Sequence, residues 1–579
     1  TGKATSASET AVKNAKNVNL MRFEARSGEG GSNLITSLIF AKASSAGLIN
    51  ASNYALWVDT NDDGVTDTIL QKGVAAQSDQ ITFDKLTGGG YVVPKSKSVV
   101  FEVHADIAAS FTTTSPVLSI RFDTGATFVQ AEQVSDGTAL SGIGAKNPGG
   151  SYITSSPFGT SPDGTALAEI QVTTAYATQY TLRNQGDLYV TLSSQPVKSK
   201  MLLGGSLADE ILRLQFRGEY EDIDVTDLVF TASGANASSM KTDAARLELY
   251  KVGATAPFAI ATPGGCGTTA VPTNSFCVQM KSQEFIVKKG QNENVLIRPR
   301  MNTDVDGAVS GNQWTIKMDL TPSASTGSIR ARGAQSSNTL DQNDGDATAE
   351  GEVFIGRSTA TATNALMTGK VNNVVLSKLT GLTNADASPN GTAIPVGTQK
   401  AIGQFKFTTA AAGSANTKNG TNKWTLSGVI FNVNATNVLL GTGDQTATAT
   451  SDFKLYNKAD PTVKNTCIAN SVFAGRSGAS GSIVITCEAI TVRSSVNTQI
   501  DPGADATFVL EAEVVNPKIS NSSTSTLQVS IQSFSENPYE TVFGASNTHL
   551  VWTDLENTGT VFKWLEFTET SVNGVSYSG

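Results

Sequence analysis

The sequence is short of charge. Of its 579 residues, 16% are Asp, Glu, Lys or Arg, against about a quarter in an average globular chain. The 51 acidic and 42 basic side chains leave a formal charge of −9. No basic run or stripe is present that would neutralise a phosphate backbone, so nucleic acid is not an expected partner. There are two histidines, His104 and His549, and no GxSxG elbow, HExxH pair or phosphate-cradling Gly-Lys-Ser/Thr. The usual sequence anchors of nucleophilic, zinc and phosphoryl chemistry are therefore missing. His104 follows Val103 on a strand-like run and reads as structural. Paired glycosidase carboxylates leave no local signature, but the acidic residues do not gather around aromatics, and the expectation is that the chain is not an enzyme. No apolar stretch reaches the roughly 20 residues of a membrane-spanning helix, and no charged-then-apolar leader opens the chain. Membrane insertion is not expected, and Thr1 is read as a mature N-terminus left by signal cleavage.

What fills the chain instead is Thr, Ser, Asn, Gly and Ala, a neutral and β-leaning surface. Its length calls for roughly three to four domains. Three apolar runs share one pattern: Asn33-Leu34-Ile35-Thr36-Ser37-Leu38-Ile39-Phe40, Ile223-Asp224-Val225-Thr226-Asp227-Leu228-Val229-Phe230 and Trp424-Thr425-Leu426-Ser427-Gly428-Val429-Ile430-Phe431. Each follows an upstream strand-like segment (20–23, 212–216, 405–407) and precedes a Leu-aromatic pair (Leu56-Trp57, Leu249-Tyr250, Leu455-Tyr456). Further on come Ile81-Thr82-Phe83, Phe285-Ile286-Val287 and Ile490-Thr491-Val492, then a turn, then another strand and a closing period-2 run. The plain alternative is chance matching in a β-rich composition, and six landmarks in one order argue against it. The expected fold is all-β, three tandem immunoglobulin-like β-sandwiches with long loops, over residues 1–165, 166–355 and 356–579.

The four cysteines, Cys266, Cys277, Cys467 and Cys487, include no CxxC pair, which argues against zinc. One pair falls between Tyr250 and Phe285, the other between Tyr456 and Ile490. Each is expected to close a disulfide inside its module, with four buried free thiols as the alternative; disulfides persist outside the reducing cytosol. In the corresponding interval of the first module lies Asp59-Thr60-Asn61-Asp62-Asp63-Gly64-Val65-Thr66-Asp67. Alternate oxygen donors on Asp59, Asn61, Asp63, the Val65 carbonyl and Asp67, with Gly64 for the sharp bend, suit a calcium ion. The plain alternative is a solvated acidic turn. The loop resembles those of dockerins and thrombospondin type 3 repeats, without the distal Glu of a full EF-hand. A metal there would clamp the hairpin that disulfides clamp in the other two modules.

Modules two and three are preceded by a strand-like segment (188–192 and 374–376), whereas module one begins too late to have one. The chain also carries a spare strand-like aromatic segment with Val561, Phe562, Trp564, Leu565 and Phe567. This asymmetry predicts head-to-tail self-assembly, the segment acting as a strand donated to module one of the next copy. The alternative is that Trp564 folds back on its own module. Asn50, Asn236, Asn390, Asn419, Asn434 and Asn521 each stand in an Asn-x-Ser/Thr sequence and are candidate glycan acceptors. Of the five Trp residues, three sit on repeat strands, where core packing is the simpler role than a sugar platform.

The segment Leu249-Tyr250-Lys251-Val252-Gly253, the loop at 59–67 and the tail from Trp552-Thr553-Asp554-Leu555 to Ser576-Tyr577-Ser578-Gly579 resemble large secreted surface proteins of bacteria, especially of the small-genome candidate phyla. The resemblance spans the whole chain on loose motifs. It implies an extracellular surface-layer or filament subunit whose partner is itself, with cell-envelope glycans as a further partner. No recognisable surface-layer-homology anchor is present. The competing reading is a calcium-dependent adhesin or glycan-binding surface protein.

Overall fold

The computed structural model describes residues 8–43, 47–111, 116–122, 129–137, 139–140, 143–145, 170–172, 178–264, 266, 274–319, 328–342, 351–412, 418, 422–440, 453–469, 480–488, 490, 498–515, 524–544, 548–555, 559–566 and 571–579. The fold is all-β, built of sandwich-like sheets, with one four-residue α-helix, Met240–Asp243, among the described residues.

In the first region the strands are β1 (Ser8–Val12), β2 (Val18–Arg26), β3 (Asn33–Lys42), β4 (Ala51–Val58), β5 (Thr68–Val74), β6 (Gln80–Phe83), β7 (Tyr91–Val93), β8 (Ser98–Ile107), β9 (Ile120–Phe122) and β10 (Val129–Gln133). Antiparallel pairing gives one sheet in the order β2-β8-β4-β5. A second sheet is centred on β3, which takes β6 and β7 on one edge and β9 and β10 on the other. A further strand, β11 (Gln179–Arg183), runs parallel to β1.

The second region begins with β12 (Asp187–Leu192) and continues as β13 (Leu212–Glu219), β14 (Ile223–Ser233), β15 (Ala244–Lys251), β16 (Ala259–Pro263), β17 (Ser275–Gln279), β18 (Ile286–Val287), β19 (Asn292–Met301), β20 (Gln313–Lys317) and β21 (Ile329–Gly333). The third comprises β22 (Ser377–Asn384), β23 (Gly397–Ala411), β24 (Trp424–Thr436), β25 (Phe453–Asn457), β26 (Asp460–Ala469), β27 (Ser480–Cys487), β28 (Gln499–Ile500), β29 (Asp505–Val515), β30 (Thr526–Gln532), β31 (Leu550–Asp554) and β32 (Ser571–Ser578).

The seven pairings within these two sheets recur in both. The orders β13-β19-β15-β16 and β23-β29-β25-β26 repeat the first sheet. Strand β14, with β17, β18, β20 and β21, and strand β24, with β27, β28, β30 and β31, repeat the second. Phe40, Phe230 and Phe431 lie at matching points of the three central strands, opposite Ile81, Phe276 and Ile485. This register corrects one alignment made on sequence: the equivalent of Ile81-Thr82-Phe83 is β17, not Phe285-Ile286-Val287, whose part is taken by β7. Thr491 and Val492 lie outside the described residues.

Strict alternation explains the packing. In β13 every second residue, from Leu212 to Gly218, is buried and those between are half-exposed, as a strand covering one core requires. Among the described residues buried apolar side chains gather in three large clusters, Ala11 to Leu182 in the first, Leu188 to Val374 in the second, and Val375 to Tyr577 with Met201 in the third, and one small one. The cores thus change over between Leu182 and Leu188 and between Val374 and Val375, beyond the expected boundaries at 165/166 and 355/356. Strands β11 and β12 explain the first shift, since they stand on either side of a short connection but serve different cores.

One difference separates the regions. Strand β13 is flanked on its outer edge by β12, and β23 by β22, both antiparallel. Among the described residues no strand flanks β2 there; Thr178 N–H donates to Leu20 O at 3.2 Å and the Tyr180 hydroxyl to Asn19 O at 2.8 Å.

Candidate functional site

The junction of the second and third regions holds the densest buried polar contacts between them. Asp554, at the end of β31, is 0% exposed and accepts the Ser310 hydroxyl at 2.6 Å and the Leu376 amide at 2.8 Å. Leu376 lies in the connection leading into β22, so one carboxylate ties the third core both to its incoming chain and to a loop of the second region. Beside it Gly311, at φ +93°, passes so close to Thr560 that an added Cβ would stand 2.5 Å from the Thr560 hydroxyl oxygen. The backbones can approach this closely only because glycine has no side chain.

The aromatic tail segment belongs to this junction. Phe562, Trp564 and Leu565 are 3%, 3% and 1% exposed within the third core. Phe562 pairs with Trp552 through two backbone hydrogen bonds of 3.0 and 2.8 Å, and the two rings stack at 4.4 Å. The Trp564 indole N–H donates to Asn373 Oδ1 at 3.2 Å, and Glu566 accepts the Met201 amide at 2.8 Å and the Lys378 ammonium at 2.7 Å. In the single chain this segment folds back on its own module, the alternative arrangement. The residues expected to form an assembly strand fasten the third region to the second instead; of the five, Val561 is 50% exposed and Phe567 lies outside the described residues. The C-terminal strand is β32, paired antiparallel with β30.

Both disulfides are formed, Cys266 to Cys277 and Cys467 to Cys487, with Cα separations of 5.6 and 4.4 Å. They brace equivalent places. Strands β16 and β26 pair with the first sheet and then with β17 and β27 of the second, and each disulfide closes the corner where the chain crosses between sheets. Their depth differs because the register differs by one residue. Cys277 stands opposite Val229, one position before Phe230, and Cys487 opposite Val429, two positions before Phe431. A one-residue step turns a side chain to the other face of a strand. Cys266 and Cys277 accordingly pack with Val229 in a small cluster apart from the main core, whereas Cys467 and Cys487 are 0% exposed inside it.

The acidic loop is not at that corner. Residues 59–67 connect β4 to β5 and so match the turns between β15 and β16 and between β25 and β26, one hairpin before the disulfides. The shared-brace expectation is corrected in this respect. Within the loop Asp59 is buried and its carboxylate accepts the amides of Asn61, Asp62 and Gly64 at 3.2, 2.9 and 2.7 Å. Asn61 Oδ1 accepts the Asp63 amide at 3.1 Å and Asp63 Oδ1 the Val65 amide at 2.8 Å. Asp67 is held by the Thr60 and Thr68 hydroxyls, which lower its pKa. Among the described residues no group of three or more His, Cys, Asp or Glu side chains is placed to hold a metal ion. Asp59, Asn61 and Asp63 form a chain of Asx turns, with Val65 as the last amide donor, and a calcium ion on Asp59, Asn61, Asp63, Val65 and Asp67 stays a proposal.

The loop is anchored from below. Arg22 on β2 donates to the Gly64 carbonyl and pairs with Glu102 at 3.2 Å. Glu102 also accepts the Thr66 hydroxyl at 2.7 Å and lies 3.0 Å from His104 Nε2. Burial alone would raise the Glu102 pKa, but the His104 and Thr66 hydrogen bonds and the Arg22 charge outweigh it and lower it. His104, with Asn17 on its other nitrogen at 3.0 Å, is a fully engaged structural histidine.

Among the glycan acceptors, Asn50 is 2% exposed, which removes it as an attachment point. Asn390 and Asn434 are exposed and Asn236 half-buried; Asn419 and Asn521 lie outside the described residues. Trp314, Trp424, Trp552 and Trp564 are core residues, and Trp57 is half-buried against His104.

No family model matches this chain, and no curated protein does. Several solved structures are aligned over nearly its whole length. One is a putative membrane anchored protein from Corynebacterium diphtheriae, 10% identical over 98% of this chain and 90% of that one, with a TM-score of 0.13. Another is the BSP domain of a biofilm associated protein, 9% identical over 99% and 94%, TM-score 0.17. A third is the major pilin subunit of Bacillus cereus, 8% identical over 90% of each chain, TM-score 0.13. At these scores the alignments carry no argument about this chain's role. The reading of function rests on its own residues.

Proposed function

We propose that the chain is an extracellular structural subunit of a bacterial cell surface, three immunoglobulin-like modules long, that associates head to tail with copies of itself and performs no catalysis. The observation that carries assembly is the outer edge of β2. The equivalent edges of β13 and β23 are filled by β12 and β22, whereas among the described residues no strand pairs with β2 there, although Thr178 bonds it at Leu20. An edge of this kind offers its backbone N–H and C=O groups to a strand from another chain. Residues 562–565 pack into the third core of their own chain, which favours a donor elsewhere in the partner copy. Support for an oxidising compartment comes from the two disulfides, and support for a load-bearing role from the clasp around Asp554, Asn373 and Glu566, which ties the second and third modules.

Sedimentation velocity and electron microscopy of the purified chain test this reading. End-to-end oligomers growing with concentration support it. Photo-crosslinking from a benzophenone residue substituted at exposed Arg26, at the end of β2, should join two copies and identify the strand that docks. A chain that stays monomeric and yields no intermolecular crosslink refutes the assembly.

A further inference from the structure

We propose that the cleft around Tyr539, between the second and third regions, binds a neutral saccharide, whether or not the subunits polymerise. Tyr539 is 58% exposed, and among the described residues it is the one aromatic side chain left mostly in solvent. An exposed ring is ordinarily mobile, but the turn that carries this one is fixed on both sides. Its own amide donates to Asn537 Oδ1 at 3.1 Å, the Glu540 amide to Asn537 O at 3.0 Å, and Gln313 of the second region donates to Pro538 O at 2.8 Å.

The ring stands at an open cleft of about 480 Å³ whose lining also includes Pro196, Lys198, Lys370, Glu536 and Asn537. That volume lies within the range of small-molecule sites, about 300–1,000 Å³. Lys198 pairs with Glu536 at 3.4 Å, and Glu566, which also lines the cleft, is held by Lys378. The cleft therefore carries mixed charges and not the cluster of cations that a phosphate or polyanion site would show. It presents instead a flat aromatic face for the C–H face of a pyranose ring, ringed by amide, ammonium and carboxylate groups for its hydroxyls. A backbone turn already held in place also lowers the ordering cost of binding.

Saturation-transfer NMR and calorimetry with cellotetraose, chitotetraose, maltotetraose and mannotetraose, and with sialyllactose as a charged comparator, test the site. At least one neutral tetrasaccharide is expected to bind with a dissociation constant of about 1 mM or below. Y539A should weaken it about tenfold and Y539F by no more than about twofold, since stacking needs the ring and not the hydroxyl. The exposed position lets both variants fold, which an unchanged melting temperature verifies. Absence of any neutral ligand at millimolar concentration overturns the proposal, as does binding that Y539A leaves intact. Loss of concentration-dependent self-association in Y539A, without saccharide binding in the parent chain, would reassign the cleft to a contact between copies.

Discussion

The Asp554 carboxylate accepts the Ser310 hydroxyl at 2.6 Å across 244 positions of sequence, with Asp554 wholly buried. This contact and the Leu376 amide on the same oxygen make the second and third regions depend on one residue. D554A removes the buried acceptor of a hydroxyl and an amide, and each hydrogen bond lost to a charged group costs about 1.5–3 kcal/mol. Denaturant unfolding should show a loss of about 2–5 kcal/mol for D554A and about 1 kcal/mol for S310A. Equal, small losses for both would remove the clasp from the account.

The tail segment gives a second expectation. Truncating the buried Trp564 by W564A should cost about 3–5 kcal/mol, the range for a large aromatic removed from a core, and should flatten the near-UV circular dichroism. A free donor strand would tolerate the same change with stability intact.

The disulfides differ in depth and should differ in response. Their loops span 11 and 20 residues, and each bond contributes about 3 kcal/mol in the chain-entropy model. Mild reductant followed by thiol labelling should open Cys266–Cys277 first, because that pair lies outside the main core. Replacing Cys467 and Cys487 together by Ala should cost more than replacing the outer pair, since a cavity in the core adds to the lost crosslink.

Acid sensitivity has a specific source in Glu248 on β15. Its burial raises the pKa, but hydrogen bonds from Arg300, Tyr250 and Arg246 outweigh this and bring it from 4.5 down to about 2. A depressed folded pKa means stability that is complete above about pH 4.5 and is lost as pH falls toward 2. E248Q should remove that part of the pH dependence of unfolding while lowering stability at neutral pH. An unchanged acid limb in E248Q would contradict the assignment.

The loop at 59–67 is closed by its own amides and by Arg22. Millimolar calcium should shift the melting temperature by no more than about 1 °C relative to EDTA, because a ligand stabilises only by binding the folded form. R22A should destabilise the chain by about 1 kcal/mol. A large calcium-dependent rise would show that Asp59, Asn61 and Asp63 can rearrange around an ion.

Much of this architecture was legible in the sequence. The Phe40, Phe230 and Phe431 motifs mark the three central strands because these strands are buried on both faces over much of their length and carry nearly continuous apolar runs, and the cysteine pairs followed from their spacing. The misalignment of Ile81 with Phe285 came from two alternating triplets that look alike in sequence but pair at opposite ends of the central strand. That slip moved the acidic loop onto the disulfide corner. The depth of each disulfide depends on a one-residue register that composition does not carry. Asp554 and Ser310 left no signal, since a contact across 244 positions between ordinary polar residues is set by how two regions pack. Tyr539 was invisible for a related reason: exposure, not residue type, singles it out.

The most direct test of the central claim is the crosslink from position 26. With a benzophenone residue in place of Arg26, irradiation at concentrations where sedimentation shows oligomers should yield covalent dimers whose peptides join β2 of one copy to a strand of another. Crosslinks confined to a single copy, for instance to residues near Thr178, would mean that the chain fills its own edge, and assembly through β2 would fall.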